Sequence, residues 1–359
     1  MLAASLITLG SPAQLTGGYL YHQRLAEAAP AHGARLDFVS FPMLPFPLAA
    51  LWGPAVLRRA SRGADVVVVD SIAAGFLGPV MAVRPTGGTP VVAMVHQPPG
   101  GIDHGPLRAR ARAFLDRAVY RRAALVLAAS QDLSDDFTAE GFGEKMRVVA
   151  PGCDLADPPE GPLPDLRQGR KAALLSVGNW VARKGTLTLL DAFAPLPPDA
   201  ATLHLVGRTD VARAYAERVR NRLAAPDLVG RVVVHGPRSR PEVAAFYRAA
   251  DVFVLPSERE PYGTVYGEAM AAGLPVVGWR AGNLPHLAQD GVEGLILSPG
   301  DVPGLSAALG RLSGDEALRH RLSEGARRRG RSLPTWAETG ERFFTLLREV
   351  AGRPAGTAG

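Results

Sequence analysis

A chain of 359 residues is too long for one ordinary core and predicts about two domains, with 47% hydrophobic residues to fill them. The net charge of +6 does not by itself point to nucleic acid: Lys145, Lys171 and Lys184 are the only lysines, and the arginine excess accompanies abundant Ala, Gly and Pro, as in a GC-rich genome. Cys153 stands alone, which excludes an internal disulfide framework, and no apolar run reaches the ~18 residues that span a bilayer. The run Leu2 to Leu9 lacks a basic leader and is short for a signal peptide, so a cytoplasmic address is expected, including the inner face of a membrane.

Leu2 to Leu9 reads as a first buried strand, leading through Gly17 and Gly18 into a helix over Tyr19 to Ala29. Further strands are predicted at Arg35 to Phe41, Ala64 to Asp70, Pro90 to His96 and Ala124 to Ser130, with Asp132 as the N-cap of the next helix. Near-continuous apolar runs alternating with helices indicate a parallel sheet buried on both faces. Pro158, Pro159, Pro162 and Pro164 rule out a regular element and mark a linker over 158–168. The pattern then restarts, with strands at Ala172 to Val177, Thr202 to Val206, Arg231 to His235 and Asp251 to Leu255. Helices are predicted at Leu187 to Phe193, Ala212 to Leu223 and Glu242 to Ala249. Two doubly wound α/β domains are expected, 1–157 and 169–334, followed by an amphipathic helix over 335–350 packing back toward the first and a disordered tail over 351–359. Neither half carries G-x-G-x-x-G after its first strand, which disfavours a dinucleotide site.

The most informative stretch is Ser257 to Met270, where an apolar strand opens into a short helix that ends near Gly273. Unpaired N–H groups and the helix dipole make such a place favourable for phosphate. Two carboxylates, Glu260 and Glu268, flank the helix start that carries Gly263. They are separated by about two helical turns, roughly 12 Å at 1.5 Å per residue, too far to act on one small sugar together.

Glu-x7-Glu with Gly263 inside it, followed by Ala269-Met270-Ala271-Ala272-Gly273-Leu274-Pro275-Val276-Val277, closely resembles the donor-site signature of family 4 retaining glycosyltransferases, which have the GT-B fold. Ala281 to Leu287 is similar to the family's G-G-x-P-E segment, and Asp290-Gly291-Val292-Glu293-Gly294 with Pro299-Gly300-Asp301 to its closing motif. Upstream, Ser176 to Gly185 resembles V-G-R-x(4)-K-G, and Pro151-Gly152-Cys153-Asp154 the P-x-G-x-D that closes the first domain. The resemblance implies two Rossmann-like domains facing an interdomain cleft, the first (1–157) for the acceptor and the second (169–334) for a nucleotide sugar.

Lys184 is the cation suited to the charge that grows on a departing diphosphate, and the amides near Gly263, Thr264 and Val265 add the helix-terminus contribution. Gly17 and Gly18 offer further amides or simply make a turn. The resemblance implies that Glu260 contacts the donor sugar, that Glu268 holds the ribose hydroxyls, and that His96 lies near the transferred sugar; Gly207, Arg208 and Tyr262 complete the expected donor set. Asn179 stands where the family has an arginine on the diphosphate, so that charge must come from Lys184, backbone groups, or Arg183 or Arg208. His286 likewise stands where the family's P-E pair has its glutamate, and Cys153 reads as structural. No D-x-D metal motif is present, and no metal or other cofactor is expected.

The expected activity is a metal-independent, retaining transfer of a hexosyl group from a nucleotide-diphosphate sugar to a small-molecule, glycan or lipid acceptor. A sugar-nucleotide epimerase or phosphorylase on the same fold, and a non-catalytic nucleotide-sugar-binding protein, are the alternatives. Nucleic acid is not an expected partner. On the acceptor side, Phe41 to Trp52 suits an apolar pocket or a membrane surface, and Pro106 to Arg122, with six arginines and an apolar side, offers a peripheral membrane contact.

Overall fold

The structure is a computed structural model and describes residues 1–11, 17–83, 88–102 and 105–352. The chain divides into two compact units, Met1–Gly152 with the segment from Pro334 onward, and Cys153–Leu333.

The first unit contains strands β1 (Leu2–Leu9), β2 (Ala34–Phe41), β3 (Val66–Asp70), β4 (Val91–Val95), β5 (Leu125–Ala128) and β6 (Met146–Val148). They form one parallel sheet in the order β2-β1-β3-β4-β5-β6. Helices α1 (Gly17–Ala28), α2 (Phe46–Ala50), α3 (Gly53–Ser61), α4 (Ser71–Val83), α5 (Pro106–Arg122) and α6 (Gln131–Phe137) connect them. Val66 to Val69 have no exposed surface, as expected of a central strand covered on both faces. Ser130, not Asp132, caps α6: its extended backbone lets its hydroxyl accept from the Leu133 amide at 3.2 Å, while Asp132 lies in the first turn.

The second unit has β7 (Ala172–Val177), β8 (Ala201–Val206), β9 (Val232–Gly236), β10 (Val252–Leu255), β11 (Val276–Trp279) and β12 (Gly294–Leu297), again all parallel, in the order β12-β11-β10-β7-β8-β9. Its helices are α7 (Thr186–Phe193), α8 (Arg213–Leu223), α9 (Arg240–Ala249), α10 (Thr264–Ala271), α11 (Leu284–Leu287), α12 (Val302–Gly314) and α13 (Glu316–Ser332). In each sheet the strand order reverses beside its first strand, between β1 and β3 and between β7 and β10. In open α/β sheets, the crevice outside the carboxyl ends of the strands at such a reversal is where ligands bind.

The last helix, α14 (Trp336–Val350), belongs to the first unit. Phe343, Phe344, Leu346 and Leu347 recur at helical spacing and are buried with Tyr21 and Leu25 of α1. A capping box between Thr335 and Glu338 starts the helix. Gly152 makes room for it, since a Cβ there would lie 2.3 Å from the Trp336 nitrogen.

Two boundaries differ from the sequence expectation. The first unit's main segment ends at Gly152 rather than 157. The end of the expected 158–168 linker is docked onto the second unit: Leu166 is buried, Arg167 forks onto Asp251 at 2.6 and 2.9 Å, and Thr202 donates to the Arg167 carbonyl at 2.8 Å. Proline prevents a regular element there but not the burial of one leucine and a guanidinium fork. Of the expected tail, 353–359 lies outside the described residues.

Phe343→Ala should destabilise the first unit by about 3–5 kcal/mol in urea unfolding, while Arg213→Ala, at an exposed site on the other unit, should stay within about 0.5 kcal/mol. Equal midpoints for both variants would contradict this packing of α14.

Candidate active site

In the second unit, the loops leaving β7 and β10 meet at the strand-order reversal. The β7 loop turns at Gly178, whose amide donates to Val206 O at 2.8 Å. Gly207, with φ +142°, lies against it so closely that a Cβ would come within 2.2 Å of the Gly178 carbonyl. A short 3-10 turn, Ala182–Lys184, ends at Gly185 with φ +69°; a Cβ there would lie 2.2 Å from Pro256 O at the end of β10. These close backbone approaches place Lys184 beside the β10 loop, where its ammonium is ion-paired with the Glu260 carboxylate.

Glu260 is held from both sides. Its carbonyl accepts from Asn283 N at 3.0 Å, and Asn283 Nδ2 donates to Tyr262 O at 2.8 Å. On the other side, Glu258 N donates to Arg183 O at 2.8 Å, and the Ser257 hydroxyl lies 3.0 Å from that oxygen and 3.4 Å from Glu260 Oε2. The Lys184 and Glu260 side chains are only 12% and 10% exposed, so each is the other's main compensation for lost water.

Gly263, in the left-handed region at φ +75°, then starts α10, and the amides of Thr264 and Val265 lie in its first turn. Glu268, further along α10, accepts from the Tyr247 hydroxyl at 3.3 Å. Burial pushes its carboxyl above the ordinary range, opposed by the charge of Arg240. Cys153 packs under the helix against Gly267, and burial, with Glu268 and Asp154 nearby, pushes its thiol up to about 12, which suits a structural residue.

The expected phosphate cations are arranged differently from one another. Asn179 Oδ1 accepts from the Arg208 amide at 3.1 Å, and the Arg208 guanidinium forks onto Asp210, both bonds 3.0 Å. Arg183 Nη1 donates to Arg259 O at 3.2 Å. His286 is exposed on α11.

The first unit gathers a second group at its own reversal. His96 follows β4, Asp70 ends β3, and His22 projects from α1; all three are buried. The two histidine Nε2 atoms are 2.8 Å apart, and Asp70 oxygens lie 3.6 Å from His22 Nε2 and 3.9 Å from His96 Nε2. Thr8 Oγ1, Ser71 Oγ and the Ile72 amide reach the same carboxylate at 3.2, 3.3 and 3.1 Å. Burial lowers the pKa of both imidazoles, that of His96 well below the ordinary value, and pushes Asp70 up against the pull of His22. Neutral imidazoles at this distance share one Nε2 proton, one ring donating and the other accepting. Among the described residues these three could offer ligands to a metal, lying within 4.8 Å of one another. In the structure the two rings are hydrogen-bonded to each other. Gly17 and Gly18 open α1 in this unit, directly after the undescribed residues 12–16.

Residues 13–157 match the model of Glycosyltransferase Family 4, and residues 165–329 match that of Glycosyl transferases group 1. The chain carries two glycosyltransferase domains. His22, Asp70 and His96 lie in the family 4 domain and Lys184, Glu260 and Glu268 in the group 1 domain, while α14 is outside both matches. The D-inositol 3-phosphate glycosyltransferase of Xylanimonas cellulosilytica is 33% identical over 223 residues, 58% of this chain and 52% of that protein. The lipopolysaccharide core biosynthesis glycosyltransferase LpsE of Rhizobium meliloti is 37% identical over 153 residues, 42% of each chain. The chain thus spans about half the length of the curated relatives it matches. Sucrose-phosphate synthase from Thermosynechococcus elongatus superimposes with a TM-score of 0.81 at 22% identity, over 98% of this chain and 100% of that one. Anabaena HepE, in complex with UDP and glucose, gives 0.80 at 21% identity over 97% and 100%. The glycosyltransferase domains therefore have the GT-B fold.

A histidine whose pKa is lowered on folding binds its proton preferentially in the unfolded chain, so its stabilisation is lost as pH falls below about 6.5. Asp70, whose pKa burial raises, acts in the opposite sense but is common to the two proteins compared. Between pH 7 and pH 5, urea unfolding should show a larger loss of stability in the native protein than in His22→Gln/His96→Gln. Identical losses would contradict two buried, neutral rings.

Proposed function

We propose that the protein is a retaining glycosyltransferase that moves a hexosyl group from a nucleotide-diphosphate sugar without a metal ion. The observation that carries this reading is the Lys184–Glu260 pair, fixed by close backbone contacts at the carboxyl ends of β7 and β10, next to the N-terminus of α10.

Negative charge develops on the departing diphosphate, and a cation with backbone amides already in place stabilises it without reorganisation. Lys184 supplies the cation, and the Thr264 and Val265 amides supply the helix-terminus donors. Arg208 is engaged with Asp210, so Asn179 leaves Lys184 as the principal charge on the phosphates. Glu260, released from Lys184 as the phosphate takes its place, faces the sugar and stabilises positive charge at the anomeric carbon. Glu268, steadied by Tyr247, accepts hydrogen bonds from the ribose hydroxyls, a role that two carboxylate oxygens suit. Within the family 4 domain, His96, held by His22 and Asp70, is a neutral hydrogen-bonding group suited to a sugar hydroxyl. HepE is described in complexes with UDP and with UDP-glucose, which makes a uridine diphosphate hexose the first donor to test.

Glu260→Gln and Lys184→Ala should each lower donor turnover by roughly 100-fold or more, with chelation by EDTA leaving the native rate unchanged. Unchanged rates in both variants would remove the basis for the proposal. Nucleoside diphosphate release that needs no acceptor other than water or phosphate would point to hydrolysis or phosphorolysis instead. Arg208→Ala should lower turnover less than Lys184→Ala, since the carboxylate of Asp210 beside its guanidinium offsets its charge; a loss as large as that of Lys184→Ala would return this arginine to the phosphates.

A further inference from the structure

Residues 42–62 of the first unit are apolar toward the protein and also away from it. Inward, Phe46 packs on Phe76 with ring centroids 5.0 Å apart, and α3 buries Val56, Leu57 and Ala60. Gly53 lies so close to α4 that a Cβ would come within 2.9 Å of Val80. Outward, Met43 is 70% exposed, Leu48 53%, Leu51 76% and Trp52 54%. A short helical segment that is apolar all round is normally buried, and a cluster of large exposed apolar side chains marks a surface that something covers.

Charge narrows what covers it. From Phe38 to Ala64 the chain has no acidic residue and three arginines, Arg58, Arg59 and Arg62, all exposed along the end of α3. A second copy meeting this face across a two-fold axis would set arginine clusters of like charge against each other. A cavity of about 500 Å³ opens beside the same face, past the carboxyl ends of β1 and β2, lined by Phe41, Met43, Trp52 and Val56, with Arg59 its one charged lining residue. An apolar recess with one cation fits an amphiphile, an apolar chain below an anionic head group.

The basic helix α5 is a weaker candidate than its composition indicates. Arg112 donates to Ile72 O at 2.6 Å and lies over the Phe76 ring, Arg117 forks onto Glu140, and Arg122 reaches Ala82 O at 3.4 Å. Half of its six arginines thus have partners within the protein.

We propose that the 42–62 face docks onto an anionic lipid bilayer, with Leu48, Leu51 and Trp52 entering the interface, the α3 arginines among the head groups, and the cavity receiving one apolar lipid chain. No described helix is long and apolar enough to cross a membrane, so the contact is a surface one. This inference does not depend on the glycosyl-transfer reading.

The test is co-sedimentation of the full chain with phosphatidylcholine vesicles, alone or containing phosphatidylglycerol, at low salt, together with Trp emission. Binding should be roughly tenfold stronger with phosphatidylglycerol and should fall about as much in Leu48→Glu/Leu51→Glu, while Leu107→Glu/Phe114→Glu on α5 binds like the native protein. In the native protein the vesicles should shift Trp emission to the blue, and Trp52→Phe should abolish that shift, a readout that needs no charge-introducing variant. No lipid-dependent binding, or binding lost through the α5 variant instead, would overturn the proposal. So would sedimentation equilibrium showing a dimer without lipid that Leu48→Glu/Leu51→Glu dissolves.

Discussion

The group 1 domain is arranged around one buried ion pair. Lys184 and Glu260 come from loops 76 residues apart, and both side chains are almost out of water. Two opposite charges can remain there only if each compensates the other, and removing one partner of such a pair typically costs about 3–5 kcal/mol. Gly185 against Pro256 and Gly207 against Gly178 bring the loops close enough to meet, and Gly282 admits the Glu260 backbone from the opposite side. In the proposed reaction this constrained ion pair is the exchange site: a phosphate takes the lysine, and the carboxylate is left facing the group the phosphate carries.

Glu268 has a different environment, which supports a separate role. It receives a hydroxyl donor from Tyr247 and, among the described residues, has no lysine partner, and burial raises its pKa. Hydrogen bonds from ligand hydroxyls would favour its ionised form and offset that burial. The first unit buries its polar cluster with imidazoles on which burial disfavours charge. His22 and His96 share a proton beside Asp70, so a polar cluster is buried without a net cation.

Most strands were legible because a parallel sheet covered on both faces requires continuous apolar runs, and Val66 to Val69 is the plainest case. The three-residue β6 is too short to produce a readable period, and β12 lies inside a motif read for its glycines. The loops after β7 and β10 were legible through their resemblance to glycine-bearing family motifs, and glycine is required at their close approaches. The His22–Asp70 partnership could not, since helix and strand ends 48 residues apart are brought together only by the strand order. The available signals were weak ones: a histidine among the apolar positions of α1, and a lone acid ending a run of four valines. Arg208 shows the reverse limit, because its reach toward the phosphates was plausible in sequence while Asp210, two residues on, takes its guanidinium.

The proposed reaction gives Lys184 to the diphosphate and Glu260 to the sugar. Calorimetric titration of the native protein, Lys184→Ala and Glu260→Gln with uridine diphosphate and with a uridine diphosphate hexose separates the two roles. Lys184→Ala should weaken both ligands, whereas Glu260→Gln should keep the affinity for the free diphosphate and lose only the increment contributed by the sugar. Equal effects of Glu260→Gln on the two ligands, or none from either substitution, would contradict it.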